Sequence, residues 1–134
     1  MRRSPGARRR RGRVRHDGGD AALASVFGDA YRSGDPLVLA RLLGPQVCVV
    51  VDTGGLAGAA RGPAEGITAA LTLLRVTLGA PATLRLQLRS VNGRPGLLAL
   101  RDGRVLAVIA LEGRPTAIDC VWVVTNPEKL TSWT

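Results

Sequence analysis

Apolar and polar residues alternate through Thr83-Leu84-Arg85-Leu86-Gln87-Leu88-Arg89. A period of two puts one set of side chains on a wet face and the other on a core, so the stretch predicts a β-strand. It opens the segment from Ala82 to Thr125, around which the rest of the chain is organised. Asn92-Gly93 supplies residues that accept positive φ in a tight turn, and Pro95 begins the next run. Gly96 to Leu100 predicts a second strand. Asp102-Gly103 is a two-residue hairpin signal leading into Arg104 to Leu111. Val105 to Leu111 has no polar side chain, which predicts a central strand covered on both faces. Glu112-Gly113-Arg114-Pro115 turns the chain again. Thr116 to Thr125, rich in Val, Ile and Trp, predicts a fourth strand. Links this short make an antiparallel meander the economical arrangement.

The N-terminal half changes period. Asp20 is a candidate N-cap, and Leu23, Val26, Phe27, Ala30 and Tyr31 recur at helical spacing. Gly34 ends that helix. Asp35 caps the next, with Pro36 at its first position, where a missing N–H costs nothing. The second helix is expected over Leu37 to Leu43, stopped by Gly44-Pro45. Val47 to Asp52 reads as a strand, and Thr53-Gly54-Gly55 leaves it into a loop of small residues, Leu56 to Gly62. Pro63 is expected to open a third helix reaching about Leu78, with Ile67, Ala70, Leu71, Leu74 and Leu78 on its buried face. Gly79-Ala80-Pro81 breaks it before the sheet. Helices laid on one face of a largely antiparallel sheet define an α+β domain.

Composition sharpens this picture in two places. The chain has 134 residues, enough for one domain with a proper core. Aromatic residues make up only 3%, so the core must be aliphatic, and a base-stacking nucleic-acid binder is disfavoured. The formal charge of +9 is concentrated at one end: residues 1–15 hold eight Arg and no acid, and the remainder is close to neutral. Residues 1–19 are therefore expected to be a disordered basic tail, and 20–134 the folded domain. The arginines between Arg2 and Arg15 could hold phosphates without reading sequence. His16, in that tail, is the single histidine, so neither a metal nor a cofactor is expected. Cys48 and Cys120 sit among apolar residues in two separate strands and read as buried thiols; a disulfide would require those strands to be adjacent. No apolar run is long enough for a bilayer, and no secretory signal is evident, which points to the cytoplasm and away from a membrane.

Four segments resemble a known family. Asp52-Thr53-Gly54-Gly55, following a Val-rich strand, looks like an Asp-Gly-Gly-Gly loop. Val91-Asn92-Gly93-Arg94-Pro95-Gly96-Leu97 is similar to a Val-Asn-Gly-x-Pro-Gly hairpin. Asn126-Pro127-Glu128-Lys129-Leu130 resembles an Asn-Pro-Asp-Lys-Leu terminal motif. Arg3-Ser4 with Ala7 to Arg11 and Val14 resembles the basic end of a recognition helix in sigma region four. Together they are similar to the SnoaL-like branch of the nuclear transport factor 2-like fold, and within it to the C-terminal domain of one group of extracytoplasmic-function sigma factors. The resemblance covers residues 20–130. It implies a cone of three helices on a curved antiparallel sheet. Thr53 and Leu56 depart from the family's loop, and both sigma core regions are missing from the sequence. The chain is thus expected to be a detached regulatory domain or the remainder of a sigma factor.

The resemblance implies a non-catalytic regulator that contacts a sigma core or RNA polymerase through Asp52, Thr53, Gly54 and Gly55, the hairpin residues Asn92, Gly93, Pro95 and Gly96, and the terminal Asn126, Pro127, Glu128, Lys129 and Leu130. It also admits a homodimer. The competing reading is a small-molecule binder or an isomerase- or cyclase-like enzyme in which Asp119 serves as acid or base and Tyr31 and Trp122 wall a pocket. On strict alternation Asp119 shares a face with Ala117, Val121 and Val123, opposite Ile118, Cys120, Trp122 and Val124. That reading requires Asp119 to face a cavity beside a second polar group.

Overall fold

The computed structural model describes residues 21–54, 61–125 and 130. The first helix, α1, covers 21–32. It buries Leu23, Phe27, Ala30 and Tyr31 of the expected stripe, with Ala24 beside them; Val26, expected in the stripe, is 36% exposed. Gly34 takes φ +78° and releases the chain. The Asp35 carboxylate then accepts from the Leu37 N–H at 2.9 Å, capping α2 (Pro36–Ala40) with Pro36 in its first turn.

Two boundaries differ from the expected ones. Helix α2 stops at Ala40, and Gly44-Pro45 lies inside strand β1 (Leu43–Asp52). Pro63 does not open a helix. It sits in strand β2 (Arg61–Glu65), and α3 (Ile67–Leu78) starts behind Gly66. Proline is tolerated there because β2 pairs only with β1 and forms an edge of the sheet. Helix α3 buries Ala70, Leu74 and Leu78, with Ile67 and Leu71 packed beside them, as its spacing requires. A short 3-10 turn, Pro81–Thr83, leads into β3 (Arg85–Val91), β4 (Arg94–Arg101), β5 (Arg104–Arg114) and β6 (Ala117–Val124).

The six strands form one curved, unclosed sheet in the order β2-β1-β6-β5-β4-β3. The last four make the expected antiparallel meander. The sheet as a whole is mixed rather than antiparallel, because β1 runs parallel to β6. Parallel neighbours need a long crossover, and the chain between Asp52 and Ala117, with α3 inside it, provides one.

Alternation divides the sheet into two faces. Val47, Val49 and Val51 of β1, Leu97 and Ala99 of β4, Ala107, Ile109 and Leu111 of β5, and Val121 and Val123 of β6 meet the helices in one aliphatic core. A smaller cluster lies on the opposite, outer face: Leu98, Val108 and Leu130, flanked by Val91, Leu100, Val105 and Val124. Strand β5 is central, as expected, but its outer face is only partly covered. Val108 is buried in that second cluster, and Ala110 is half-buried.

Strict alternation fails in β6. Glu112 pairs with Cys120 but Gly113 pairs with Ile118, so Asp119 is an extra residue, a β-bulge. The bulge resets the phase. Ile118 joins Val121 and Val123 in the core, and Cys120, Trp122 and Val124 take the outer face. Gly113 permits the bulge: a Cβ there would lie 2.6 Å from the Ala117 carbonyl oxygen and from the Asp119 nitrogen.

Candidate functional site

Among the described residues, the recess on the helix side of the sheet is small, about 60 Å³, and the recess richest in chemistry is elsewhere. It is a hollow of about 360 Å³ on the outer face of the sheet. Val50 from β1, Trp122 and Val124 from β6, and Val108 and Ala110 from β5 form an apolar floor. Asp52, Asn92, Arg94 and Pro95 stand at its rim. Val50 pairs with Trp122 across the parallel β1–β6 ladder, and Ala110 pairs with Trp122 from the other side. Trp122 therefore sits mid-floor, still 37% exposed, a large apolar surface open to a partner.

Described residues of two of the four sequence segments line this hollow, and Leu130 of a third packs beside it. Asp52 ends β1, and one carboxylate oxygen accepts from the Gly54 N–H at 3.0 Å, a local turn that fixes the start of the Asp52-Thr53-Gly54 loop. Gly54 has φ +102°, a conformation that favours glycine. The Asp52 carbonyl accepts from the Thr125 N–H at 2.8 Å, which ties the end of β1 to the end of β6. The hairpin brings Asn92 and Pro95 to the rim; Gly93 lies just beyond, on the wall of a second, shallower hollow with Leu88, Arg89 and Pro95. Leu130, from the terminal motif, is buried against Leu98 and Val108, next to the Val91 and Val124 that also line the hollow. Gly55, Asn126, Pro127, Glu128, Lys129 and the arginine-rich tail lie outside the described residues.

Part of the hairpin motif answers to the fold itself. Asn92 and Gly93 occupy φ +54° and +80°, the conformations of a primed two-residue turn. A Cβ on Gly96 would stand 2.5 Å from the Ile109 carbonyl oxygen and 2.7 Å from Val91 Cγ2, so the strand crossing there has no room for a side chain.

The residues proposed for an enzymatic pocket are not brought together. Asp119 is exposed on the bulge and does not line the outer hollow. Tyr31 lies on the helix side of the sheet, 6% exposed, at a recess of only about 60 Å³. Its hydroxyl donates to the Gly79 carbonyl at 2.6 Å, and burial pushes its pKa upward against the opposing pull of Arg75 and Arg101. That is the bonding of a structural tie. Of the three, Trp122 alone lines the outer hollow. Sequence reading missed Val50, Ala110 and Arg94 as its companions; Val50 joins them only because β1 lies beside β6.

Among the described residues, no group of three or more His, Cys, Asp or Glu could hold a metal ion, and no helix is long and apolar enough to cross a membrane. No protein-family model matches the sequence, and comparison with curated proteins gives no match. Solved structures do match. The Mycobacterium tuberculosis extracytoplasmic function sigma factor SigJ is similar at 25% identity with a TM-score of 0.60, over 94% of this chain. The chain spans about half the length of that sigma factor, 50%. An NTF-2 like protein of unknown function from Burkholderia xenovorans is similar at 12% identity and a TM-score of 0.56, covering 89% of this chain and 95% of its own. A Bacillus subtilis protein named provisionally as an isomerase has 12% identity and a TM-score of 0.51, covering 83% and 91%. The fold is that of the nuclear transport factor 2-like, SnoaL-like proteins, a sigma factor's SnoaL-like domain among them.

Proposed function

We propose that this chain is a non-catalytic regulatory SnoaL-like domain that acts in transcription initiation by packing against a sigma-factor core or RNA polymerase. The observation that carries the reading is the convergence of Asp52, Asn92 and Pro95 around one exposed tryptophan on the outer face, with Leu130 packed on the adjoining Leu98 and Val108. A floor of Val50, Ala110, Trp122 and Val124 ringed by polar residues has the anatomy of a protein contact: an apolar centre anchored by an aromatic, and a wet rim. The similarity to a sigma factor supports this choice of partner. The domain would bias the sigma core between compact and polymerase-competent arrangements, to the extent that it binds one better than the other. Its place of work would be the cytoplasm. The arginines of residues 2–15 would add a sequence-blind attraction to nearby DNA phosphates.

A second reading rests on the size of the hollow. About 360 Å³ lies within the usual range of small-molecule sites, and the same fold occurs in the provisionally named isomerase. An isomerase-type reaction would then have to use Asp52 or Arg94, since Asp119 stands apart. The full chain should retain purified sigma region two, sigma region four or polymerase in a pull-down. Failure with every one of these, alongside turnover of a small molecule, would replace the first reading by the second.

A further inference from the structure

Cys48 and Cys120 are partners in register on the adjacent parallel strands β1 and β6. Both thiols are free and half-buried. Directly opposed residues project to the same face, so the two side chains stand side by side on the outer face. The row continues outward: Glu65 of β2 pairs with Cys48, and Glu112 of β5 pairs with Cys120. Neighbouring strands lie about 4.8 Å apart. A disulfide accepts Cα separations of roughly 4.4 to 6.8 Å, so this pair can be bridged without moving the backbone far.

We propose that Cys48 and Cys120 form a reversible dithiol–disulfide site, closed by a peroxide. The two sulfurs are not equivalent. Burial, the neighbouring Cys48 with its hydrogen bond, and the Glu112 carboxylate push the Cys120 thiol up to about 12. The raised Cys120 thiol favours Cys48 as the sulfur that attacks first. The Cys48 thiolate attacks one peroxide oxygen; an S–O bond forms, the O–O bond breaks, and the departing hydroxide takes up a proton as water. Cys48 is then a sulfenic acid. The Cys120 sulfur attacks it, an S–S bond forms, the S–O bond breaks, and the leaving hydroxyl carries off the Cys120 proton as a second water. Two thiols and one hydrogen peroxide become one disulfide and two waters, with two electrons passing from sulfur to peroxide. A reducing dithiol reverses the bridge by exchange.

The bridge would pin β1 to β6 two residues before the Val50–Trp122 pair that floors the outer hollow. Oxidation would thus stiffen the surface proposed for docking. That consequence rests on the docking reading; the disulfide itself does not.

The test treats the full chain, under native conditions, with hydrogen peroxide near stoichiometry, then blocks free thiols and maps peptides by mass. The expected product is an intramolecular Cys48–Cys120 link lacking two hydrogen atoms, lost again on treatment with dithiothreitol. In Cys120→Ser, Cys48 should accumulate as a sulfenic acid captured by dimedone. In Cys48→Ser, Cys120, still raised by burial and by Glu112, should be captured more slowly than Cys48 is in Cys120→Ser. Native chain that emerges with both cysteines alkylated, or joined only between molecules, overturns the site, and this holds whether or not the serine variants fold. Equal dimedone capture by the two single variants would overturn the assignment of Cys48 as the attacking sulfur. A confirmed link that leaves affinity for a sigma core unchanged would cut its connection to docking while leaving the disulfide site intact.

Discussion

The Tyr31 hydroxyl donates to the Gly79 carbonyl across 2.6 Å, joining the middle of the first half of the chain to the end of α3. Gly79 is the point where α3 stops, with φ +80° and its own N–H bonded to the Arg75 carbonyl at 2.9 Å. Arg101 completes the fastening from the sheet. Its guanidinium donates to the Leu78 carbonyl at 2.9 Å, the Ala80 carbonyl at 2.6 Å and the Thr83 hydroxyl at 2.9 Å. Helix α3 ends with carbonyls that have no partner within the helix, and these two side chains supply partners.

Tyr31→Phe keeps the ring and its stacking on Phe27, whose centroid lies 6.4 Å away, and removes only the bond. A loss of about 1 kcal/mol is expected, with the half-buried Gly79 carbonyl left without that donor. Arg101→Ala should cost about 1 to 2 kcal/mol, since three acceptors lose a charged donor that is itself partly solvated. Urea unfolding midpoints measure both. Indifference to either change would show that the end of α3 is held by packing alone.

The hairpin motif makes a sharper stability prediction. Gly96→Ala forces a methyl into the 2.5 Å gap to the Ile109 carbonyl oxygen, and the backbone must move. A cost of about 2 kcal/mol or more is expected. Gly93→Ala, with open space around it but φ +80°, should cost only about 1 kcal/mol. Reversal of that order in thermal unfolding would mean that conformation, and not crowding, governs the motif.

Much of the architecture is local and was legible for that reason. The α1 stripe, the Asp35–Pro36 cap and the Asn92-Gly93 and Asp102-Gly103 turns each depend on a few neighbouring residues. Strand β2 was not legible, because a proline ahead of an amphipathic run has the pattern of a helix start, and only pairing with β1 reveals an edge strand. Alternation places Cys120 to Val124 on their faces but not Ile118, because the bulge at Asp119 depends on Gly113 in the neighbouring strand β5. The outer hollow and the Cys48–Cys120 pair required the β1–β6 parallel contact, which joins residues some seventy positions apart in sequence.

Alkaline pH should expose the two raised pKa values. Cys120, ordinarily near 9.0, is held up to about 12 by burial, by Cys48 and by Glu112; Tyr31 is raised above 10.0 by burial. Below the unfolded values both states keep these protons, and the stability they contribute is fully present. As pH rises from about 9 toward about 12 the unfolded chain releases protons that the folded chain retains, so unfolding gains and stability falls. Urea midpoints between about pH 8 and about pH 11 should decline more steeply for the native sequence than for Cys120→Ser. Parallel curves would remove Cys120 from the account.

The arginine-rich tail predicts a salt signature. If all eight arginines of residues 1–15 engage phosphates, the log–log salt dependence of binding to random-sequence duplex DNA should approach a slope of about −7. Removing residues 1–15 should flatten it to near zero. A steep slope that survives the deletion would place the contact on the folded body, which is close to neutral.

The outer face is tested most directly by placing a charge at its centre. Trp122→Arg alters a side chain already 37% exposed, so the fold should survive. The affinity of the full chain for a purified sigma core or RNA polymerase should fall at least about tenfold while the unfolding free energy from urea titration stays within about 0.5 kcal/mol of the native sequence. Equal affinity of the native and Trp122→Arg chains for that partner would contradict the docking surface described here.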